Sequence, residues 1–316
     1  MSTIHSTTKL PYTVVGGEHV DRNVRKARRL SVVLLNRGGK FSRPTLFAEL
    51  ERLGIEEILS IESSDAAYDV ESLARSYTGV RFLLLKQEAT VGEQINLGIE
   101  ESVGRYVLVL WNDMRLPSFS QRSLDRIAEL ESLCVVPVLR NQRLEMIPSV
   151  MAPAFYNGQL KVLPLTAQED GVPSLYPYDY VGVYNRDKFL FCGGFDGNIT
   201  KSYWQKLDFG FRVFMWGESI RSHINLKVNC LGNQEPEDTT PDESYKRFYL
   251  KNLSVRFQED QGVLPFTRFL PFWMRTSGGF FESYRIFREI QAWVFRNRYL
   301  FKQDARRITE LWEVGE

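Results

Sequence analysis

Histidine and cysteine are scarce in this sequence. The 316 residues include three histidines and three cysteines, and the cysteines lie far apart with no CxxC spacing. This scarcity disfavours histidine-based metal clusters, zinc sites and Ser-His-Asp catalytic triads. An odd number of cysteines without a disulfide framework is typical of a reducing compartment.

Long apolar runs and a net charge of one sign are also missing. Lysine and arginine number 40 against 39 aspartates and glutamates, a formal net charge of +1, so no overall field favours nucleic acid. The longest apolar runs, such as Tyr106–Trp111, are too short to cross a bilayer, and the first residues lack the apolar stretch of a secretory signal. We therefore predict a cytoplasmic protein without a nucleic-acid partner, which contacts at most the inner face of a membrane peripherally.

Strand-length apolar runs alternate with helical patterns in the first third of the chain. Strands are expected at residues 31–35, 55–61, 80–85 and 106–110, and helices between them at 44–53, 70–76 and 91–102. This alternation predicts an α/β fold with a parallel, doubly wound sheet. Ligands bind such sheets outside the carboxyl ends of the strands. We therefore expect the chemistry in the loops at 36–40, 62–65 and 111–115.

The chain divides into three regions by composition. Residues 1–28 are polar, end in a basic cluster and are expected to be a solvated lead-in. Residues 29–235 carry the α/β pattern, and residues 236–316 form a helical, aromatic and basic extension. From residue 244 to the end there are 13 lysines and arginines and 8 acids, a net charge of +5. One large domain with an appendage is therefore expected, rather than two equal domains.

Several short motifs follow one another in a recognisable order. The first strand ends at Asn36, and the second ends at the acid Glu62. The third helix carries Asn96-Leu97-Gly98, the fourth strand leads to Asp113, and Gly193-Gly194-Phe195-Asp196 follows further on. In this order and at this spacing, across about residues 31–230, the motifs resemble those of the family-two glycosyltransferases.

The resemblance implies a fold and a reaction. The fold would be of the GT-A type, a Rossmann-like, mixed but mainly parallel sheet flanked by helices, here with a C-terminal helical extension. The reaction would transfer a sugar with inversion from a nucleoside diphosphate donor to a glycan or lipid-linked acceptor, in a setting such as bacterial surface-polysaccharide assembly. The substrate- and nucleotide-binding residues that we expect are Asn36, Arg37, Glu62, Asn96, Asn112, Gly194, Lys206 and Arg212.

A divalent cation, Mn²⁺ or Mg²⁺, is the cofactor that the resemblance implies. The family places one or two aspartates directly after the fourth strand, where this chain has Trp111-Asn112-Asp113. Asp113 is the expected metal ligand, to which Asn112 could add a neutral oxygen, and hard cations prefer such oxygen ligands. The alternative is that Asp113 caps a helix or forms a turn.

The general base is the second departure from the family pattern. The family's motif has an aromatic residue, an acidic pair and, further on, an aspartate and an arginine. Here Trp204, Asp208 and Arg212 match, but Gln205-Lys206 replaces the acidic pair. A lysine with an ordinary pKa of ~10.4 cannot accept a proton at neutral pH. Asp208 is therefore the predicted catalytic base, unless it only pairs with Arg212 on one helical turn.

Other assignments stay open at this stage. Asp179 or Asp196 could supply the base instead, or Lys206 could bind phosphate without any transfer. In that case the chain is a degenerate scaffold that binds a nucleotide or glycan, or serves in an assembly. A third alternative is a nucleotidyltransferase, which the residues at 37–40 keep open, although the longer Gly-rich opening loop of such enzymes is missing.

The C-terminal extension contains an amphipathic helical pattern. Phe280, Tyr284, Phe287, Ile290 and Val294 form one stripe, and several arginines lie off it. The helix is expected to dock on the catalytic domain or on a second copy in a homo-oligomer. The alternative is an interfacial helix at 279–301 beside a membrane that carries a lipid-linked acceptor.

Overall fold

The structure is a computed structural model. It describes residues 10–17, 30–38, 41–63, 69–156, 159–233, 236–275 and 279–312. The strands are β1 Tyr12–Gly16, β2 Leu30–Leu35, β3 Glu57–Glu62, β4 Val80–Leu85, β5 Tyr106–Trp111, β6 Met114–Arg115, β7 Cys134–Arg140, β8 Met146–Ile147, β9 Val150–Tyr156, β10 Gln159–Leu165, β11 Gly182–Asn185, β12 Ile220–Cys230, β13 Arg256–Gln258 and β14 Gln261–Val263. The helices are α1 Arg43–Arg52, α2 Val70–Ser76, α3 Val91–Glu101, α4 Gln121–Glu129, α5 Arg186–Phe191, α6 Ser202–Met215, α7 Glu243–Phe248, α8 Phe269–Arg275, α9 Phe280–Asn297 and α10 Ala305–Glu310.

A large mixed sheet forms the centre of the molecule. Its strand order is β1-β4-β3-β2-β5-β11-β7-β12-β6, and β8 pairs with β7. The pairs β4–β3, β3–β2, β2–β5 and β7–β12 are parallel, whereas β1, β6 and β11 pair antiparallel with their neighbours. This arrangement confirms the prediction of a mixed, mainly parallel sheet flanked by helices.

The two central strands mark the position of a ligand site. Every residue of β2 and β5 is buried, as their continuous apolar sequences predict. The chain runs from β2 outward through β3 and β4 and then returns to the other side of β2 at β5. The loops after Leu35 and Trp111 therefore diverge from a topological switch point, where ligands bind such sheets.

Helix α3 lies close to the central strands. It begins with a capping box in which Thr90 and Glu93 cap each other. A Cβ atom on Gly98 would lie 2.6 Å from Cγ1 of Val33 in β2, so only glycine allows this approach. The Asn96-Leu97-Gly98 motif thus has a packing role at its glycine.

One part of the chain differs from the predicted regions. Residues 12–16, expected in a solvated lead-in, form β1 and pair antiparallel with β4 at the edge of the sheet. The sequence pattern does not predict this strand, because an edge strand has only one neighbour and a weak apolar pattern. The basic cluster before residue 30 lies outside the described residues.

The C-terminal region packs onto the main domain. Phe248, Leu250, Phe287 and Ile290 belong to the same buried core as the central strands. A π-helical turn at Tyr249–Leu253 continues α7 and lies against α6. None of the helices that the structure describes is both long and apolar enough to cross a membrane.

Candidate functional site

A cavity of about 710 Å³ opens at the carboxyl ends of β2 and β5. Several parts of the chain contribute to it: the loops after β2 and β5, a 3-10 turn before β11, the start of α6 and the segment after β12. The side chains that line it include Arg37, Trp111, Asp113, Tyr178, Asp179, Lys201, Lys206, Glu237 and Asp238. The cavity therefore coincides with the switch point of the sheet.

Arg37 forms the centre of one side of the cavity. Its Nε atom lies 3.1 Å from both carboxylate oxygens of Asp113, and its Nη2 atom lies 3.0 Å from Oδ1 of the same residue. Its Nη1 donates to Oδ2 of Asp179 at 2.8 Å. The guanidinium carbon lies 4.5 Å from the ring centre of Trp111. Burial opposes the charge of Arg37, but Asp179 and Asp113 outweigh it and raise the pKa of the guanidinium.

The 3-10 turn that carries Asp179 has a strained backbone. Asp179 and Tyr180 have φ angles of 52° and 63°, in the left-handed region that residues other than glycine seldom adopt. The indole Nε1 of Trp111 donates to the Asp179 carbonyl at 2.9 Å, and the Tyr180 hydroxyl lies 2.8 Å from Oε1 of Gln205. Strain of this kind persists where the surroundings hold it, and it concentrates at functional sites.

Asp113, the predicted metal ligand, is buried at this position. Both of its oxygens accept hydrogen bonds from Arg37, and a Cβ atom on Gly232 would lie 2.2 Å from its Oδ2. Asn112 stays near it and accepts a long bond of 3.4 Å from the Arg37 amide. The described residues hold no group of three or more potential metal ligands. With Arg37 in this place, the residues present do not fit a divalent ion.

The position of the family's missing acid is occupied by an ion pair. Lys206 lies on the first turns of α6, and its ammonium contacts the carboxylate of Glu237. Glu237 also accepts a hydrogen bond of 2.7 Å from the Tyr176 hydroxyl. The rings of Tyr176, Tyr178 and Tyr180 surround the ammonium at 5.2 to 5.7 Å. A carboxylate is therefore present here, but it comes from the segment after β12.

Two further contacts hold that segment against α6. Lys201 pairs with Asp238 at 2.7 Å, and Nε1 of Trp204 donates to the Thr240 carbonyl at 3.2 Å. Together with the Lys206–Glu237 pair, these contacts form one wall of the cavity. The position of Glu237 therefore depends on the start of α6 as well as on its own loop.

Gln205, the other replacement in the acidic pair, is fully buried and fully bonded. Its Oε1 accepts from the Gly92 amide at 3.0 Å as well as from Tyr180. Its Nε2 donates to Oγ1 of Thr90 and to the Asp196 carbonyl. An acid here could not donate the last two bonds. Gln205 thus connects α6 to the start of α3 and does not line the cavity.

Asp208 lies away from the cavity, contrary to the prediction that it is the base. It is completely buried and is not among the residues that line the cavity. Its Oδ2 accepts from Arg212 at 3.1 Å and from Lys251 at 3.0 Å, and its Oδ1 accepts from Asn252 at 2.9 Å. The Asp208–Arg212 pair on one helical turn, the structural alternative, is present. A carboxylate enclosed in this way cannot reach an acceptor hydroxyl.

Asp196, an alternative base, belongs to the same buried network. It accepts from Lys251 at 2.7 Å and from Arg247 at 2.8 Å. Burial opposes its charge, but Lys251 and Arg247 outweigh burial and hold the pKa of Asp196 far below its usual range. Asp179, the other alternative, does line the cavity.

Three predicted binding residues instead support the Gly193–Asp196 turn. The Asn96 side chain accepts from the Phe195 amide and donates to the Phe195 carbonyl, both at 2.8 Å. Arg212 donates to the carbonyls of Cys192 and Gly194. Gly194 has a φ of +60°, and a Cβ atom there would lie 2.4 Å from Oδ1 of Asn96. None of the three lines the cavity.

Asn36 and Glu62 lie at the ends of neighbouring strands, as expected. Asn36 donates to the Ile61 carbonyl at 2.8 Å. Glu62 is buried, accepts from Ser60 at 2.6 Å and pairs with Arg43 at 2.9 Å. Burial raises the pKa of Glu62, although Ser60 and Arg43 oppose the shift. Neither Asn36 nor Glu62 lines the cavity as the structure describes it.

Neither Glu237 nor the role of Trp111 is predicted from the sequence. Glu237 lies 31 residues beyond Lys206 in a short acidic stretch, which resembles an ordinary solvated loop. The contact of Trp111 with Arg37 spans 74 residues and has no local signature. At the wall around Lys206, the alternation of Tyr176, Tyr178 and Tyr180 is a local pattern in the sequence.

Comparisons with known proteins identify the fold. No protein-family model matches the chain, and no curated protein matches it in sequence. A crystal structure of GalNAc-T7 with UDP, GalNAc and Mn²⁺ matches with a TM-score of 0.58 and 15% identity, over 92% of this chain and 59% of that one. A crystal structure of S. aureus TarS matches with a TM-score of 0.50 and 12% identity, over 86% of this chain and 54% of that one.

The chain thus spans between half and three fifths of the length of these neighbours. At such low identity the likeness concerns the fold, and it agrees with the strand order and with the cavity at the switch point. The prediction from the sequence motifs is confirmed at this level. The chain has the GT-A fold of the glycosyltransferases.

Proposed function

We propose that this protein is a glycosyltransferase that moves a sugar from a nucleoside diphosphate donor to a hydroxyl group of a glycan or lipid-linked acceptor, with inversion. The observation that carries the proposal is the cavity at the switch point of a GT-A fold, with Arg37 on one side and Glu237 on the wall formed by the start of α6 and the segment after β12. Arg37 can face phosphate oxygens, and Glu237 can face an acceptor hydroxyl. The bacterial polysaccharide setting and the cytoplasmic location stay predictions from the sequence.

The chain's own cation nearest the expected diphosphate is Arg37. The cavity carries Arg37, Lys201 and Lys206 against four acids, which are Asp113, Asp179, Glu237 and Asp238. Because acids outnumber cations by one, a diphosphate has to take over cationic partners from these carboxylates. Arg37 suits this exchange because a guanidinium binds carboxylate and phosphate through the same paired N–H groups. In this proposal Arg37 stabilises the diphosphate as it leaves.

The divalent ion expected at Asp113 stays a prediction with a clear requirement. Mn²⁺ accompanies UDP in the GalNAc-T7 crystal structure, which supports testing it here. In this chain the ion would need Asp113 without its bonds to Arg37. If a donor binds equally well with and without Mn²⁺, then Arg37 neutralises the charge of the diphosphate. If donor binding strictly requires Mn²⁺, then Arg37 moves away from Asp113 when the ion binds.

Glu237 replaces Asp208 as the proposed general base. As the acceptor oxygen bonds to the anomeric carbon, the bond from that carbon to the diphosphate breaks, and the hydroxyl proton passes to the Glu237 carboxylate. Lys206 positions this carboxylate through their ion pair. In the family motif the acid lies on the helix, whereas here α6 carries Lys206 and the segment after β12 carries Glu237. A carboxylate is therefore still present next to the position of the motif's acid.

A second candidate function is nucleotide or glycan binding without transfer. The observation that favours it is the state of the two acids: Asp113 is paired with Arg37 and Glu237 with Lys206. On this alternative the pairs are permanent and the cavity only binds. The nucleotidyltransferase alternative gains nothing from the described residues, because Gly39 and Lys40 of its loop lie outside them.

The test is calorimetric titration with UDP, GDP and dTDP, with Mn²⁺ or with EDTA, followed by hydrolysis and transfer assays with the matching sugar donors. Nucleotide binding that weakens at least about tenfold in Arg37→Met, together with donor turnover, supports the transferase. Arg122→Met, on the exposed side of α4, is the matched control. Binding without turnover of any donor would favour the binding protein, and no binding by any nucleotide would refute both the transferase and a nucleotide-binding role.

A further inference from the structure

The outward side of α9 exposes large aromatic residues. Phe281, Tyr284 and Phe295 are exposed, and Tyr299 in the following turn is exposed as well. At 100° per residue these four positions fall within about 60° of one another around the helix axis. Phe281 exposes 86% of its surface, which is extreme for a phenylalanine. Of the predicted stripe, Phe287, Ile290 and Val294 are buried on a different side of the helix, whereas Phe280 and Tyr284 are exposed.

Helix α8 and the turn before it extend this surface. Phe266, Leu270 and Met274 are exposed there, Met274 by 68%. The ring of Phe269 lies 5.7 Å from that of Phe266 and 5.5 Å from that of Phe280 at the start of α9. The exposed rings of Phe266 in the turn and Phe280 in α9 are thus connected through Phe269. A connected exposed patch, unlike scattered exposed residues, indicates a binding surface.

Arginines accompany the aromatic residues on the same side. Arg285, Arg288 and Arg296 of α9 are exposed between the rings. The guanidinium carbon of Arg298 lies 4.1 Å from the ring centre of Phe295 and 4.4 Å from that of Tyr299. Long cationic side chains can cover apolar surface while their charged ends reach outward.

The charge of this segment is strongly one-sided. Residues 266–300 contain six arginines and two glutamates, a net charge of +4, whereas the whole protein has +1. Of the two glutamates, Glu282 is exposed, and Glu289 is 56% exposed and pairs with Arg247 at 2.8 Å. Arginines therefore outnumber glutamates on the exposed surface of α9, which is cationic as well as aromatic.

A second cavity lies next to this surface. It measures about 510 Å³, lies between β14 and α9 and is open to the surface. Val263, Leu264 and Val294 contribute apolar lining, and Arg288 and Arg298 contribute cations. An apolar space beside two arginines suits a molecule with a hydrocarbon part and an anionic head.

We propose that residues 266–275 and 279–299 form a surface that binds an anionic lipid bilayer peripherally. Phe281, Leu270 and Met274 would enter the boundary between headgroups and acyl chains, and the arginines would contact lipid phosphates. The charge favours an anionic bilayer over a second copy of this chain, because a second copy would bring the same arginines against this surface and like charges repel. The inference does not depend on the proposed transfer reaction, although it would place the cavity near a lipid-linked acceptor.

The test is sedimentation of the full chain with vesicles of phosphatidylcholine alone or mixed with phosphatidylglycerol, without any sugar donor. We expect binding to the mixed vesicles at least about tenfold tighter than to neutral ones and weaker at high salt. The double variant Leu270→Ser/Phe281→Ser should lose at least about tenfold in affinity, since two inserted apolar side chains are removed. Arg285→Gln/Arg288→Gln should lose a similar factor on mixed vesicles only.

The controls are Phe191→Ser and Arg122→Gln, at exposed positions outside this surface. Because the replaced side chains are exposed, the variants should keep the melting temperature of the parent protein, which calorimetry checks. No vesicle binding, or equal losses in the control variants, would overturn the proposal. A dimer of the parent protein that is lost in the Leu270→Ser/Phe281→Ser variant, together with no vesicle binding by any variant, would also overturn the proposal. A second copy of the chain would then cover the surface.

Discussion

Trp111 shows how a departure from a family motif can act through Arg37, a residue that is distant in the sequence. Trp111 stands where family members can carry an acid, and its ring supports the guanidinium that occupies Asp113. A tryptophan face attracts a cation and keeps water from one side of it. The two residues therefore act together on Asp113, because Arg37 pairs with its carboxylate and Trp111 contacts the guanidinium.

Arg37→Met is expected to increase the affinity for Mn²⁺ at least about tenfold. The variant leaves Asp113 and Asp179 facing the cavity without their shared cation, and two carboxylates are ligands that hard divalent ions prefer. Titration with Mn²⁺ followed by electron paramagnetic resonance measures the change. Arg37→Lys, which keeps a cation, should stay close to the parent protein. Equal Mn²⁺ affinity of parent and Arg37→Met would contradict this account.

Glu237→Gln is expected to lower kcat for sugar transfer by about 10²–10⁴, the range that general base catalysis contributes. Donor KM should change by less than about threefold, because the carboxylate faces the acceptor side. Glutamine can still accept the hydrogen bond from Tyr176, so the wall of the cavity stays in place. Steady-state kinetics with a saturating donor gives both constants.

The control for this variant is Glu71→Gln on α2, where the glutamate is largely exposed. Glu237→Asp should retain part of the activity, since a carboxylate remains. Full activity of Glu237→Gln would remove Glu237 from the mechanism and return the search to Asp179, the other acid of the cavity considered for this role.

Helix α6 combines the functional and the structural part of the family motif. Its first turns present Lys201 and Lys206 to the cavity, whereas its middle presents Asp208 and Arg212 to a buried network. Lys251, from the π-helical turn after α7, bridges Asp208 and Asp196 in that network. The network thus joins α6, the Gly193–Asp196 turn and the C-terminal region.

Asp208→Asn is therefore expected to affect stability and not chemistry. Removing one member of a buried, hydrogen-bonded charge network leaves Lys251 and Arg212 partly uncompensated, which lowers the free energy of unfolding by about 3 kcal/mol. Urea unfolding measures the loss, and kcat of the folded fraction should stay within about twofold. Asp187→Asn, at an exposed aspartate of α5, is the control. A large loss of kcat at unchanged stability would restore Asp208 as the base.

At the scale of the whole molecule, the same network predicts sensitivity to acid. The pKa of Asp196 is lower in the folded protein than the ~3.9 of an unfolded chain. Such a group stabilises the fold above the unfolded value, and this contribution is lost as the pH falls below about 4 towards the folded value. We expect the melting temperature to fall steeply below about pH 4.

Asp196→Asn tests the origin of that slope. The variant should be less stable than the parent protein at neutral pH by about 2 kcal/mol, and the difference should shrink as the pH is lowered. Thermal unfolding at a series of pH values measures both effects. Parallel curves for the two proteins would show that other carboxylates cause the acid sensitivity.

The sequence motifs marked the right places more reliably than the right roles. Asn96, Gly194 and Arg212 match the family pattern, and the structure uses them to hold the Gly193–Asp196 turn. The same residue type can stand at a motif position whether it contacts a ligand itself or positions another residue that contacts the ligand. Only the surrounding contacts distinguish these two roles, and they involve partners that are distant in the sequence.

The amino-acid sequence by itself determined the order and type of the main elements. The apolar run of β5 and the helical spacings of α2 and α3 are local patterns, because a strand or helix repeats within a few residues. Tertiary structure alone decided what faces the cavity. Arg37 meets Asp113 and Asp179 across 76 and 142 residues, and Lys206 meets Glu237 across 31. No local period encodes such pairs, because folding of the whole sheet brings them together.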